Sequence, residues 1–333
     1  MLMEACSSIR SSNSSMNAGD FEPNSGSSAQ VVVVGSLHLD ILVRASARPR
    51  KGETLPGQSW GYKSGGKGGN QAAAAAQFGA SVSMVSRVGN DDFGVRLLEH
   101  LKSAAVDTQH VSVDVETGSG MSVAIVDAEG DYGAVIVSGA NLHLSKAEVD
   151  KAERLIARAR VLVLQNEVLE VTNLAAAILA KDHGVRVILN AAPARPLGPD
   201  LAANIDLLIV NAVEAEMMCG VAVTSLSAAT RAAAILSDQF PAVIVTAGGL
   251  GLALAVRNEP PYTEAAHPVS MLDTHGAGDA FVGALCARWA NGKLLTEAAR
   301  FANAAAALFV STPVKQKRAI TSDHVMQLLS ERS

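Results

Sequence analysis

The densest chemistry in this chain lies in Asp273-Thr274-His275-Gly276-Ala277-Gly278-Asp279, which runs directly into Ala280-Phe281-Val282-Gly283-Ala284-Leu285. Small, glycine-rich residues opening into an apolar stretch read as a turn followed by a helix, and that helix stops near Asn291-Gly292. Backbone N–H groups in a helix's first turn lack intrahelical partners, and with the positive end of the dipole they form an anion site. Asp279 falls inside that turn. A carboxylate there can take a proton from a hydroxyl while neighbouring amides hold developing negative charge. An Asp at a helix start can also be a plain cap. The Gly-Ala-Gly turn beside it favours the chemical role.

A second cluster is Gly65-Gly66-Lys67-Gly68-Gly69-Asn70-Gln71, followed by an alanine run. Gly61 to Lys67 fits the spacing of a phosphate-binding P-loop, but Gly68 stands where Ser or Thr should hold Mg²⁺. The segment before it is not a clear buried strand either, so that reading fails. Nor is there a dinucleotide fingerprint after the first apolar run, because Gly35 stands alone. What survives is a glycine loop that lets the backbone approach a small polyol, with Asn70 hydrogen-bonding it. Asp40, in Gly35-Ser36-Leu37-His38-Leu39-Asp40, supplies a carboxylate able to accept two sugar hydroxyls. His38 has no partner at metal-ligand or triad spacing.

These residues need a scaffold. Val31-Val32-Val33-Val34 is a continuous apolar run, the mark of a strand buried on both faces. Similar runs cover 82–88, 161–164, 185–189, 207–210, 243–245 and 252–256, and helix-like stretches at 72–78, 93–105, 171–181 and 228–237 lie between many of them. The alternation predicts an α/β fold, a mostly parallel sheet with helices on both faces and right-handed crossovers. Short strand-like pieces at 41–43, 58–62, 121–126 and 132–137 have no helix between paired members, and Asp127-Ala128-Glu129-Gly130-Asp131 reads as a hairpin loop. They predict a small antiparallel lid from segments near 41–62 and 121–137. Ligands of open parallel sheets bind beyond the carboxyl ends of the strands. Here those ends carry Gln165-Asn166-Glu167, Asn190, Asn211 and Thr246-Ala247-Gly248-Gly249.

Composition excludes several classes. A net charge of −5 and 4% aromatic residues give no general affinity for nucleic acid or for anionic membranes, so phosphate chemistry has to come from a local site. No apolar run approaches the ~20 residues that span a bilayer. Cys6, Cys219 and Cys286 are scattered, with no metal-binding spacing, and suit a cytoplasmic protein with reduced thiols. Residues 1–30, rich in Ser, Asn and Gly, read as a disordered tail, with one domain over 31–333.

Taken together, Gly35-Ser36 with Asp40, the Gly65 to Gln71 loop, Asn190-Ala191-Ala192-Pro193-Ala194, Asn211 with Glu214, and Asp273 to Asp279 resemble the ribokinase-like (pfkB) carbohydrate kinase family. The likeness runs from about Val31 to Phe309, and the glycine loop points to the ribose-phosphorylating branch. It implies a three-layer α/β/α sandwich whose β-lid pairs two copies into a homodimer. It also implies ATP-dependent phosphorylation of a sugar, the 5-hydroxyl of D-ribose first. Kinases of nucleosides, hexoses or keto-sugar acids share these motifs, as would a binding protein of the same fold. By the same resemblance His38, Asp40, Gly66, Lys67, Gly68, Gly69, Asn70 and Glu167 line the sugar pocket. Asn211, Thr246, Ala247, Gly248, Gly249, Leu250, Gly251 and Asn303 lie along ATP. Glu214 with Asn211 orders hydrated Mg²⁺. Asp279 is the base, and the amides of Gly276, Ala277 and Gly278 hold the transferring phosphoryl group.

Two departures stand out. His38 occupies a position where family members carry an Asn that touches the sugar. A Gly-Ala-x-x-Ser loop that helps to bind K⁺ in the family reads here Ser311-Thr312-Pro313-Val314-Lys315-Gln316-Lys317-Arg318. The K⁺ site therefore carries over only to Asp273 and the His275 carbonyl. Either the loop swings away and leaves that site open, or a basic side chain takes over the ion's role near Asp273.

Overall fold

The computed structural model describes residues 30–331; residues 1–29 of the expected N-terminal tail lie outside the described residues, and Gln30 already belongs to the first strand. In chain order the strands are β1 (Gln30–Val34), β2 (His38–Ala45), β3 (Gly57–Gly65), β4 (Ser81–Gly89), β5 (Val106–Asp114), β6 (Gly120–Val126) and β7 (Tyr132–Val137). The second half adds β8 (Val161–Gln165), β9 (Arg186–Asn190), β10 (Leu207–Asn211), β11 (Ala242–Thr246), β12 (Gly251–Val256) and β13 (Tyr262–Ala265). The helices are α1 (Lys67–Gln77), α2 (Asp92–Ser103), α3 (Lys146–Lys151), α4 (Glu153–Ile156), α5 (Glu170–Asp182) and α6 (Pro199–Ala203). They continue with α7 (Ala212–Cys219), α8 (Leu226–Leu236), α9 (Ala277–Ala290), α10 (Leu295–Ser311) and α11 (Ser322–Ser330).

Nine strands form one sheet of order β13-β12-β11-β10-β9-β8-β1-β4-β5, parallel except where β12 and β13 turn back at one edge. The valine run of β1 lies near one end of the parallel strands, fully buried: Val31 and Val33 enter one hydrophobic cluster, Val32 and Val34 the other. The first cluster joins the sheet to α1, α2, α9, α10 and α11, the second to α3 through α8. This is the expected three-layer sandwich. The lid is a separate sheet of order β3-β2-β6-β7, antiparallel at its outer pairs and parallel at the central β2–β6 pair. Among the described residues no helix is long and apolar enough to cross a membrane.

Small side chains set the site's geometry. A Cβ on Gly283 in α9 would lie 2.4 Å from the Ala74 Cβ and 2.6 Å from the Ala75 nitrogen in α1. The two helices therefore touch almost backbone to backbone. One turn closer to their N-termini, Asp279 of α9 meets Asn70 and Gln71 of α1. At the start of α1, Gly66 has φ +83°, and a Cβ there would lie 2.8 Å from the His38 nitrogen. Only a glycine lets that helix begin against the β1–β2 connection.

Candidate active site

The carboxyl ends of the parallel strands form a stepped rim: Gln165 pairs with Asn190, Asn190 with Ile209, and two residues further along Asn211 pairs with Thr246. Two of those rim residues brace the catalytic candidate. Gln165 Nε2 donates to Gln71 Oε1 (2.9 Å), and Gln71 Nε2 donates both to Asn190 Oδ1 (2.9 Å) and to Asp279 Oδ1 (3.0 Å). Asn70 Nδ2 donates to the other carboxylate oxygen at 2.9 Å. Asp279 does not cap its helix. The cap position is Gly276, which offers no side-chain bond; the Ala277 N–H donates to the Thr274 carbonyl (3.2 Å), which leaves the amides of Gly276 and Gly278 for a ligand. Burial raises the Asp279 carboxyl above its ordinary pKa, against the pull of Lys67 and of the two side-chain amides. A carboxylate raised in this way suits a general base.

The sugar-binding candidates surround the same point. Glu167 accepts from the Lys67 N–H (2.8 Å) and from the Ser36 hydroxyl. His38 is buried, its Nδ1 3.9 Å from Glu167, and its Nε2 has no hydrogen-bond partner. Asp40 lies on β2 and accepts from Ser122 of the neighbouring β6, which ties it to the lid. Gly68 and Gly69 are buried in the first turn of α1. A cleft of about 640 Å³ opens between lid and sandwich, lined among others by Leu39, Lys63, Asn70, His275, Gly276 and Asp279.

Asn211 and Glu214 form a reciprocal capping box at the start of α7. The Asn211 N–H donates to Glu214 Oε2 (2.9 Å) and the Glu214 N–H to Asn211 Oδ1 (2.8 Å). Burial raises the Glu214 carboxyl, Lys67 opposes the shift and Asp279 adds to it, so the three groups share one field. The nucleotide candidates Thr246 to Gly251 follow β11 in the next rim position, with Gly248, Gly249 and Leu250 in a single tight turn. Beside that turn, across β13, Asn303 is held by a 2.8 Å bond from its Nδ2 to the Ala265 carbonyl.

The oxygens expected to ligate K⁺ face a side chain. Lys317 Nζ donates to Asp273 Oδ2 (2.9 Å) and to the Asp273 carbonyl (3.1 Å), and it lies 3.4 Å from the His275 carbonyl. Of the two outcomes open from the sequence, the basic side chain is the one the structure holds. The sequence reading also passed over two other groups. Asn141 accepts from the Leu37 N–H (2.8 Å) and donates to the Leu37 carbonyl (2.9 Å), fixing the loop that carries Ser36 and His38. Lys63 on β3 has its pKa lowered by burial, with Asp40, Asp273 and Asp279 pulling it back. A lone Asn and a lid Lys carry no signal in sequence beyond their polarity.

Residues 28–320 match the profile of the pfkB family carbohydrate kinases. Ribokinase of Haemophilus influenzae is 34% identical over 301 residues, 90% of this chain and 98% of that protein. Deoxyribokinase of Salmonella typhimurium is also 34% identical, over 76% of this chain and 83% of its own length. The solved structure of Arabidopsis thaliana ribokinase complexed with ribose and ATP superposes with a TM-score of 0.85 at 30% identity, covering 91% of this chain and 99% of that one. On a match that spans most of its length, with the motifs gathered at one rim, the chain belongs to the pfkB family of carbohydrate kinases, phosphotransferases with an alcohol group as acceptor.

Proposed function

We propose that this chain transfers the γ-phosphoryl group of ATP to the 5-hydroxyl of D-ribose, giving ribose 5-phosphate. The observation that carries the reading is the meeting of two helix N-termini at one carboxylate. Helix α1 brings Asn70 and Gln71 to Asp279, and the turn into α9 brings the Gly276 and Gly278 amides beside it. Asp279 takes the proton of the acceptor hydroxyl, and the amides of Gly276 and Gly278 with Lys67 hold the phosphoryl group as its charge redistributes. Asp40, Glu167 and Asn70 fix the sugar's other hydroxyls. ATP lies along Asn211, the 246–251 turn and Asn303. No group of three or more His, Cys, Asp or Glu side chains converges among the described residues. Mg²⁺ would be carried on the nucleotide phosphates and oriented through water by Glu214 and Asn211, which sit together in the capping box of α7.

A deoxyribokinase among the relatives supports a second acceptor, 2-deoxyribose. ATP consumption measured across ribose, deoxyribose, fructose, adenosine and pseudouridine decides between them. Ribose is expected to give the highest kcat/KM, with deoxyribose lower by ~10–100-fold. A missing hydroxyl leaves a carboxylate short of one charged hydrogen bond, worth about 1.5–3 kcal/mol. Equal or faster turnover of deoxyribose or of a nucleoside would move the acceptor. No turnover with any of them would leave a binding protein of this fold.

The same reading includes a homodimer paired through the lid. Strand β3 is exposed on both faces from Gly57 to Lys63, and the lid displays Trp60, Val135 and Ile136 at 70%, 68% and 62% exposure. Apolar side chains shown that openly mark an interaction surface. Sedimentation of the full chain is expected to give the mass of two copies, falling to one in Trp60→Glu. A parent that sediments as a monomer would remove the dimer.

A further inference from the structure

The fold family implies a K⁺ ion beside the loop before α9, and the residues here do not fit one. Three oxygens that would ligate it, Asp273 Oδ2, Asp273 O and His275 O, already converge on the Lys317 ammonium. A metal cation at that point would face a like charge in a site where Lys317 is only 6% exposed. We propose that Lys317 is a tethered cation, a positioning residue that holds the Asp273-Thr274-His275 loop in register with the first turn of α9 and makes the reaction independent of K⁺. The proposal rests on the phosphotransfer reading for its kinetic arm and on the loop alone for its thermal arm.

The connections around Lys317 give it that reach. Its turn, residues 314–319, is pinned to the end of α1 by Gln77 Nε2, which donates to the Lys317 and Ile320 carbonyls at 2.8 Å each. Its ammonium lies 4.2 Å from the centre of the Phe309 ring on α10. The edge of that ring lies 3.3 Å from where a Cβ on Gly276 would be. The N–H groups of Leu272 and Asp273 donate to the Val310 carbonyl (2.8 and 3.2 Å), which stitches the same loop to α10. One residue therefore ties the start of α9, the end of α10 and the end of α1 together, directly before the amides that receive the phosphoryl group. A monovalent metal would supply the same charge, but Lys317 supplies it from within the chain and cannot be diluted away.

Rates in K⁺, Na⁺ and tetramethylammonium buffers of matched ionic strength, together with melting curves in each, test this. The parent is expected to give the same rate and the same melting temperature in all three. Lys317→Ala opens the position. It should lose on the order of tenfold in kcat through a misplaced first turn, melt lower, and recover both rate and melting temperature with K⁺ or NH₄⁺ but not with tetramethylammonium. Lys317→Met fills the space without charge and should be slow and deaf to every cation, whereas Lys317→Arg should stay near the parent. A parent activated several-fold by K⁺ over Na⁺ would overturn the proposal. So would a Lys317→Ala protein indifferent to cations in both rate and melting. Should Lys317→Ala fail to fold, equal rates for Lys317→Arg and Lys317→Met would overturn it. The melting arm needs no turnover, so it decides the proposal even if no sugar is phosphorylated.

Discussion

Asp279→Asn is expected to fold, to bind ATP and to lose ~10²–10⁴-fold in kcat, the cost of removing a general base. Asparagine has nearly the same shape, and its oxygen can still accept from Gln71, so the α1–α9 contact survives once Asn70 turns its amide. The proton acceptor is what disappears. Two further readouts follow from the raised carboxyl. In the parent, kcat/KM should rise with pH through a limb that lies above the ordinary carboxylate value of 3.8, because protonated Asp279 cannot take a proton. The folded-state pKa also exceeds the unfolded one, so the folded protein holds this proton more firmly. Its stabilising share is complete below the unfolded value and is lost as pH rises through the folded one. At neutral pH the charge therefore costs stability, and Asp279→Asn should melt at or above the parent temperature. A folded variant with parental kcat would remove Asp279 from the chemistry.

What the sequence made legible divides along a physical line. Strands buried on both faces announce themselves as apolar runs, and β1, β4, β8, β9, β10, β11 and β12 were all readable in this way. The two strands of the main sheet that escaped, β5 and β13, are its two edges. Each alternates buried or half-buried residues with exposed ones, as in Val106-Asp107-Thr108-Gln109-His110, so neither leaves a continuous apolar signature. The lid strands were found from their hairpin loop and lack of helices. The parallel β2–β6 pairing was not, because nothing local encodes which distant strand lies alongside.

The site shows the same split. Asp279 and Asn70 stood out by type and spacing, and Glu214 only through the family resemblance. The bonds that make them a site cross 209 residues for Asn70 to Asp279 and 208 for Gln71 to Asp279, and sequence spacing cannot supply those. Lys317 is the sharpest case. From the sequence it was one of three basic residues in an irregular segment, alongside Lys315 and Arg318. Its partner, Asp273, lies 44 positions away and was known only as a possible ligand. That a side chain fills a place expected for an ion depends on where a six-residue turn is pinned, and the pinning residue is Gln77, in a helix from the other end of the chain.

The second large effect is expected at Glu214, where one side chain carries two separable jobs. Its Oε2 accepts the Asn211 N–H in the capping box of α7, and the carboxylate as a whole lies buried in the field of Asp279 and Lys67. Glutamine at the third position of a capping box still accepts that N–H. Glu214→Gln therefore keeps the helix start and deletes only the charge. If that charge orients waters on the nucleotide's Mg²⁺, the Mg²⁺ concentration giving half-maximal rate should rise ~10–100-fold, the range for losing an outer-shell partner of a metal. Burial and the nearby Asp279 both work against ionised Glu214, and the positive charge of a nucleotide-borne Mg²⁺ would offset them. Glu214→Ala makes the useful contrast, since it also removes the reciprocal bond to the Asn211 N–H while the Asn211 side chain still caps the helix, and should cost about 0.5–1.5 kcal/mol in stability, one hydrogen bond. Initial rates are measured against free Mg²⁺ at fixed ATP, with melting temperatures alongside. A Glu214→Gln titration that overlays the parent, while Glu214→Ala melts early, would reduce Glu214 to its capping bond and leave the cation to the nucleotide alone.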